Sequence, residues 1–314
     1  MRRLAALVLV LALLAPAPAS AGEVLDRVRS EQTLRCGAAE RPGFAEANAE
    51  GVIAGLAVDL CRAVAIAVLA RTAHVEFQLY DSMHAFDAVR HGADELVFLD
   101  SADIAEQHLV PFVLPGPTVF YEPTTLLVAR GSSVQRPQDL AGATICLMIG
   151  SAAQRAVERT FAGLGVPVTR LGFQEDVEML DAYNVQKCQA MAGDATYLAD
   201  LSRDRGVNGL QSRMLWPPLG LRPVIAATGI ADARWTAMVD WVLDEVMLAD
   251  AAASPWRADP PDLSGLGLRR SWRAEVAAAV GTYSVMLRRH GLDTLAPAAN
   301  ALWPDGLLLP PSAP

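Results

Sequence analysis

From Leu34 onward, short strand-like runs alternate with longer segments of helical period, the pattern of a sheet with helices on its faces. Leu34-Arg35-Cys36 predicts a first strand, 58–70 an apolar helix with Asp59 in its first turn, and 74–79, alternating apolar and polar, a second strand. A helix over 85–91, capped by Ser82 and ended by Gly92, leads to the wholly apolar strand Leu96-Val97-Phe98-Leu99. A second set of elements follows. Residues 124–128 predict a strand that leaves the first set; strands over 144–148 and 166–171 then alternate with helices over 152–164 and 177–184. Val224-Ile225-Ala226 predicts a strand that returns. The stretch 235–303 is mostly helical by period and is expected to pack on the first set. Within it Asp240, Asp244, Glu245 and Asp250 recur at helical spacing, which marks an amphipathic helix rather than a membrane span.

The order first set, second set, first set makes the chain cross between them twice, near Val128 and near Leu221. It predicts an α/β clamshell of two lobes with two hinge crossings, 22–128 plus 222–314 forming lobe one and 129–221 lobe two, closing on a small molecule.

The amino terminus changes where this clamshell is expected to work. Arg2 and Arg3 precede an apolar run from Leu4 to Ala15, and Ala19-Ser20-Ala21 suits cleavage before Gly22. Residues 1–21 therefore read as a secretory signal peptide, too short to span the ~30 Å of hydrocarbon that takes ~20 residues. The expected compartment is the periplasm. Loss of Arg2 and Arg3 leaves 24 basic against 35 acidic residues, a net charge of −11, and no basic patch with interleaved aromatics appears, so nucleic acid is excluded as a partner. Lys187 is the only lysine.

Four cysteines in an exported chain argue for two disulfides, and four permit three connectivities. Cys36 ends a strand-like run and Cys61 lies a turn into the next helix, while Cys146 ends a strand and Cys188 precedes the apolar run Gln189–Ala192; this repeated arrangement favours Cys36–Cys61 and Cys146–Cys188. No C-x-x-C pair is present, which argues against zinc, and no metal or cofactor is expected.

LRCGAAERPGF followed by GLAVDLCRAVAIAVL resembles the first lobe of the periplasmic binding proteins that feed general L-amino-acid ABC importers, solute-binding proteins of family 3 with the type II periplasmic binding fold. TICLMIGSAAQ, KCQAMAGDATYLADL, VGTYSVMLRRHG and NALWPDGLLLPP extend the resemblance over nearly all the mature chain, and both cysteine pairs coincide with the family's. The resemblance implies a monomeric protein that holds an amino acid between its lobes and hands it to an ABC permease in the inner membrane. It also implies an Arg on the ligand's carboxylate and an Asp on its ammonium, since a zwitterion needs a partner of each sign.

Asp194 matches the family's Asp at the end of a second-lobe strand, and a helix-capping role is the alternative. Ser151 stands where a hydroxyl residue opens a helix whose N-terminus suits a carboxylate. Arg41 and Phe44 lie in the loop after the first strand, where clefts of this fold open; a solvated arginine and a loop-anchoring aromatic are the plainer readings. After the third strand, where the family carries polar residues and an Arg, this chain reads Phe98-Leu99-Asp100-Ser101-Ala102-Asp103. The carboxylate-binding Arg is missing there, and Asp100 and Ser101 become candidates for a cationic or neutral ligand. An alternative function follows from that departure: an accessory or sensor protein that binds no α-amino acid. No G-x-S-x-G, H-E-x-x-H or phosphate-binding Gly-rich loop is present and the five histidines are scattered, so an enzyme is not expected.

Overall fold

The computed structural model describes residues 22–70, 74–106, 112–203, 211–251, 263–303 and 305–308. The expected signal peptide, 1–21, lies outside the described residues.

Helix α1 (Glu23–Glu31) precedes strand β1 (Thr33–Ala39), a small hairpin of β2 (Glu46–Ala47) and β3 (Ile53–Ala54), and helix α2 (Leu56–Leu69). Then come β4 (His74–Tyr80), α3 (Ser82–Arg90), β5 (Leu96–Asp100), the short α4 (Ser101–Glu106) and the long β6 (Val113–Ala129). A second group holds β7 (Thr144–Met148), α5 (Ala152–Leu164), β8 (Thr169–Phe173), α6 (Asp176–Asn184), β9 (Ala190–Asp194), α7 (Ala195–Arg203) and β10 (Ser212–Met214). The chain returns through β11 (Gly220–Gly229) and finishes with α8 (Ala233–Leu248), α9 (Trp272–Val280) and α10 (Tyr283–Arg289).

Nine strands form one mixed sheet in the order β4-β1-β5-β11-β6-β9-β7-β8, with β10 beside β6. β1, β4 and β5 are parallel to one another, as are β7, β8 and β9, while β6 and β11 run antiparallel to their neighbours. The fold is thus two α/β halves joined by two long strands. Each half is covered on both faces. In the first, Leu34, Phe98, Phe120 and Trp235 pack on one side and Phe86, Val97, Leu99 and Ile225 on the other. In the second, Leu147, Val157 and Phe161 oppose Leu127, Met179, Tyr183 and Leu198. Burial on two faces explains why Leu96–Leu99 is wholly apolar rather than alternating.

Two local expectations shift. Asp81, not Ser82, is the N-cap of α3, its carboxylate accepting from the His84 amide at 2.9 Å. An Asp one residue earlier offers the same acceptor with a charge suited to the helix dipole. The strand expected over 166–171 begins at Thr169, because Pro167 has no amide to give a ladder and its carbonyl instead accepts from Gly142.

Both disulfides form as expected, Cys36–Cys61 with Cα atoms 6.4 Å apart and Cys146–Cys188 with 5.6 Å. The first ties β1 to α2, and the second ties β7 to the loop between α6 and β9. On the first half Asp59 of α2 receives Arg289 Nη1 at 2.6 Å and His290 Nε2 at 2.9 Å, which fastens α10 to α2. The tail then reaches β6: the Tyr121 amide donates to Asn300 Oδ1 at 2.7 Å and Asn300 Nδ2 donates to the Tyr121 carbonyl at 3.0 Å. Both polar groups of Tyr121 therefore face away from β11, whose opposite residue is Pro223. A proline fits there because, at a position not hydrogen-bonded to β6, its missing N–H deprives that pairing of nothing.

Closing loops of 25 and 42 residues gives each disulfide about 3–4 kcal/mol of stabilisation through the unfolded chain. Cys146→Ser with Cys188→Ser, which removes one disulfide, is expected to lower the unfolding free energy by about 3–4 kcal/mol in denaturant titrations. Burial, then the neighbouring charges of Asp240 and Glu245, pushes the Asp244 carboxyl up to about 8. Its Oδ1 has no hydrogen-bond partner among the described residues. Asp240 and Asp94 are each raised to about 6, burial being the main cause. A folded-state pKa above the unfolded one adds stability that is complete below about pH 4 and lost as pH rises through about 8. Asp244→Asn is expected to flatten the fall in unfolding free energy between about pH 5 and about pH 8.5 and to stabilise the protein at the upper end.

Candidate functional site

The carboxyl ends of β1, β5, β7 and β9 all open on one crevice, which in sheets of this kind is where ligands sit. Its cavity, of about 590 Å³, lies between residues that follow β1 and β5 on one side and residues that follow β7 and β9 on the other, with Arg222 of β11 also on its wall. The volume falls in the range of small-molecule sites.

Arg41 enters from a tight loop after β1. Its amide donates to the Ala45 carbonyl at 2.8 Å, and its carbonyl accepts from Phe44 and Ala45 at 3.0 and 2.9 Å; Gly43, at φ +71°, makes the turn. Phe44 points the other way, into the core, its ring 6.1 Å from Phe98 and 5.7 Å from Phe120. The Arg41 guanidinium rests 5.6 Å from the Phe44 ring. Phe44 is thus the anchor of the loop that carries Arg41, and Arg41 itself is not solvated: its side chain is 11% exposed.

Two charged residues that the sequence reading passed over complete the site. Glu122 of β6 and Arg222 of β11 stand opposite each other in the strand register, so their side chains share one face. Glu122 is 0% exposed and accepts from the Thr196 amide at 3.2 Å and from Thr196 Oγ1 at 3.1 Å, at the start of α7. Its other neighbour is Arg41 Nε at 3.5 Å. Arg222 spans the crevice, Nη2 on Asp194 Oδ2 at 2.6 Å and Nη1 on Asp100 Oδ2 at 3.4 Å. Arg41 Nη2 meets the same Asp100 oxygen at 3.1 Å. Two guanidiniums and three carboxyls therefore form one connected network. Burial alone lowers the pKa of both arginines, but Asp100 and Glu122 around Arg41, and Asp194 and Asp100 around Arg222, outweigh it and raise both. Burial raises Glu122 above the usual carboxylate range, with Arg41 opposing the shift.

Of the residues singled out in the sequence, Arg41, Asp100, Ser151 and Asp194 line the cavity. Ser151 is the N-cap of α5, its Oγ accepting from the Gln154 amide at 3.1 Å and donating to the Met148 carbonyl at 2.7 Å. Asp194 is the last residue of β9, beside Thr124 of β6, and keeps its carboxylate at the mouth of the site. Ser101 opens α4 next to Asp100 and is not among the cavity's walls. The signal that would have found Glu122 and Arg222 is a lone charge in each crossing strand.

No protein-family model matches the sequence. Among relatives, the chain is 25% identical over 312 residues to the "Putative amino-acid ABC transporter-binding protein YhdW" of Escherichia coli (strain K12), covering 92% of this chain and 91% of that one. It is 24% identical over 315 residues to the "General L-amino acid-binding periplasmic protein AapJ" of Rhizobium johnstonii, covering 92% of each. Among solved structures, a periplasmic binding protein from Brucella ovis with glutathione bound superposes with a TM-score of 0.70 at 22% identity, over 90% of this chain and 96% of that one. The fold is that of type II periplasmic binding proteins.

The buried network makes a testable distinction at its least exposed member. Glu122→Gln keeps an acceptor for Thr196 and is expected to cost under about 1 kcal/mol, whereas Glu122→Ala strands the Thr196 donors and is expected to cost about 1–3 kcal/mol. Chemical denaturation of the two variants at neutral pH measures both.

Proposed function

We propose that this chain, a solute-binding protein of family 3 by its fold and its full-length similarity, captures an amino acid or a related small polar metabolite outside the cytoplasm and delivers it to an ABC permease in the inner membrane. The observation that carries this reading is the crevice at the carboxyl ends of two sets of parallel strands, walled by Arg41, Asp100, Asp194 and Arg222. A small zwitterion exchanges its own charges for those of such a wall, and water leaves as it enters. Relatives named as amino-acid transporter-binding proteins match over nine-tenths of the chain, which supports the same reading.

In this reading the lobes are 22–128 with 222–314 and 129–221, and β6 and β11 are the hinge. Asp194 takes the ligand's ammonium, and the start of α5 at Ser151 offers its first amides to a carboxylate. Residues 1–21 direct export to the periplasm, where the protein works as a monomer without a cofactor. No described helix is long and apolar enough to cross a membrane.

The test is a panel of amino acids against mature protein stripped of bound ligand by unfolding and refolding. A true ligand at a hundred times its dissociation constant is expected to stabilise the fold by about 2.7 kcal/mol, read as an upward shift of Tm. Asp194→Asn is expected to abolish that shift while leaving the ligand-free Tm within a few degrees. A panel that shifts nothing sinks the proposal.

A further inference from the structure

Arg222 stands midway between the two halves on a strand that crosses from one to the other. Val224, two residues after it on β11, lies opposite Asp100 of β5. Gly220, two residues before it, lies opposite Thr124 of β6, which in turn lies opposite Asp194 of β9. Residues two apart on a strand share a face, so the register puts Asp100, Arg222 and Asp194 on the same side of the sheet, where all three wall the crevice. One acid therefore flanks the guanidinium from the first half and one from the second.

Both ends of the guanidinium are engaged, Nη2 with Asp194 Oδ2 at 2.6 Å and Nη1 with Asp100 Oδ2 at 3.4 Å. Its Nε has no hydrogen-bond partner among the described residues, so the side chain is held through its two terminal nitrogens. The cross-strand partner repeats the arrangement: Glu122 accepts from Thr196 of the second half and meets Arg41 of the first. A change of angle between the halves carries Asp100 and Asp194 away on different strands. A rigid, planar fork cannot follow both, so one contact must part.

We propose that Arg222 is a splint across the hinge: by holding an acid of each half, it keeps the halves at the angle of this structure without help from a ligand, and opening has to break the bridge. The inference rests on the reading of the two halves as lobes of a solute-binding clamshell, and it gives Arg222 a positioning role rather than a contact with ligand. Opening then competes with ion pairing, and the apparent affinity for a solute falls with the fraction of molecules that are open to receive it.

Small-angle X-ray scattering of the mature protein, stripped of bound ligand by unfolding and refolding, tests this on wild type, Arg222→Met and Asp194→Asn. Arg222→Met strands no buried charge: Asp100 keeps Arg41, Glu122 keeps Thr196 and Arg41, and Asp194, 30% exposed, keeps water. Wild type is expected to scatter as this structure does, and each variant to shift to a larger radius of gyration and maximum dimension. The double variant is expected to open no further than Arg222→Met alone, since both changes act on one bridge. An arginine that only stabilises the fold would lower Tm and leave the dimensions of the folded protein unchanged. A wild type more expanded than this structure, either folded variant superimposing on wild type, or additive opening in the double variant overturns the inference. If circular dichroism shows Arg222→Met unfolded, Asp194→Asn decides by the same criterion. The readout uses no ligand, so a failed splint leaves solute binding standing, whereas an amino-acid panel that shifts nothing sinks solute binding by itself.

Discussion

Two opposite charges face each other on the strands that join the halves, the acid wholly out of water and the arginine mostly so. Glu122 and Arg222 are cross-strand partners on the same face of β6 and β11, Glu122 wholly buried. A buried charge left unpaired costs several kcal/mol, so each must find partners beyond the sheet. Those partners come from both sides. Thr196 and Asp194, at the corner between β9 and α7, belong to the second half, and Arg41 and Asp100 belong to the first. The requirement that buried charges be satisfied therefore fixes how the loop after β1, the end of β5 and the β9–α7 corner stand around the crevice. Position within the sheet gives the rest, since every wall but Arg222 follows a strand whose carboxyl end points there.

The same crossing has a backbone problem, and the tail solves it. Before β6 first pairs with β9 at Thr124, its edge away from β11 has no strand beside it at Tyr121. Asn300 puts a carboxamide there and returns one donor and one acceptor, as a neighbouring strand would. Tyr283 adds a hydroxyl on the Val119 carbonyl at 2.7 Å. The tail motifs that resemble the importer proteins are thus structural in this chain: they hold a crossing strand. Asp59 is of the same kind. It lies in the first turn of α2, where the dipole favours it, and it fastens Arg289 and His290 instead of facing ligand.

The fold was legible because its signals are local. Apolar runs of strand length, helical periods and the cysteine spacing each depend on neighbours in sequence, and they placed β1, β5, β7, α5 and both disulfides, although Cys36 and Cys146 sit in mid-strand rather than at the strand ends expected. Boundaries slipped where a competing group intervened, Asp81 for Ser82 and Pro167 at the head of β8. The site was legible only in part. Asp194, Asp100, Ser151 and Arg41 could be reached by motif position, and all four border the cavity. Glu122 and Arg222 could not, because their role comes from strand register and from a loop 81 residues away in the case of Glu122. Reading Phe44 as an anchor rather than a wall likewise needed Phe98 and Phe120, which meet it only in the fold.

After β5, where the proteins that the sequence resembles carry an Arg, this chain carries an acid and places its cations elsewhere. Leu99 stands in the core, where a guanidinium would go unpaired, and the next residue carries the acid. The positive charge comes instead from Arg41 on a loop and Arg222 on a crossing strand, which meet at one Asp100 oxygen, and both are neutralised before any ligand arrives. Binding at such a site is an exchange: every contact a ligand makes with an arginine is measured against the carboxylate already there. Specificity follows from that difference more than from the sum of contacts. An anion that takes either arginine must first separate charges held 2.6–3.5 Å apart.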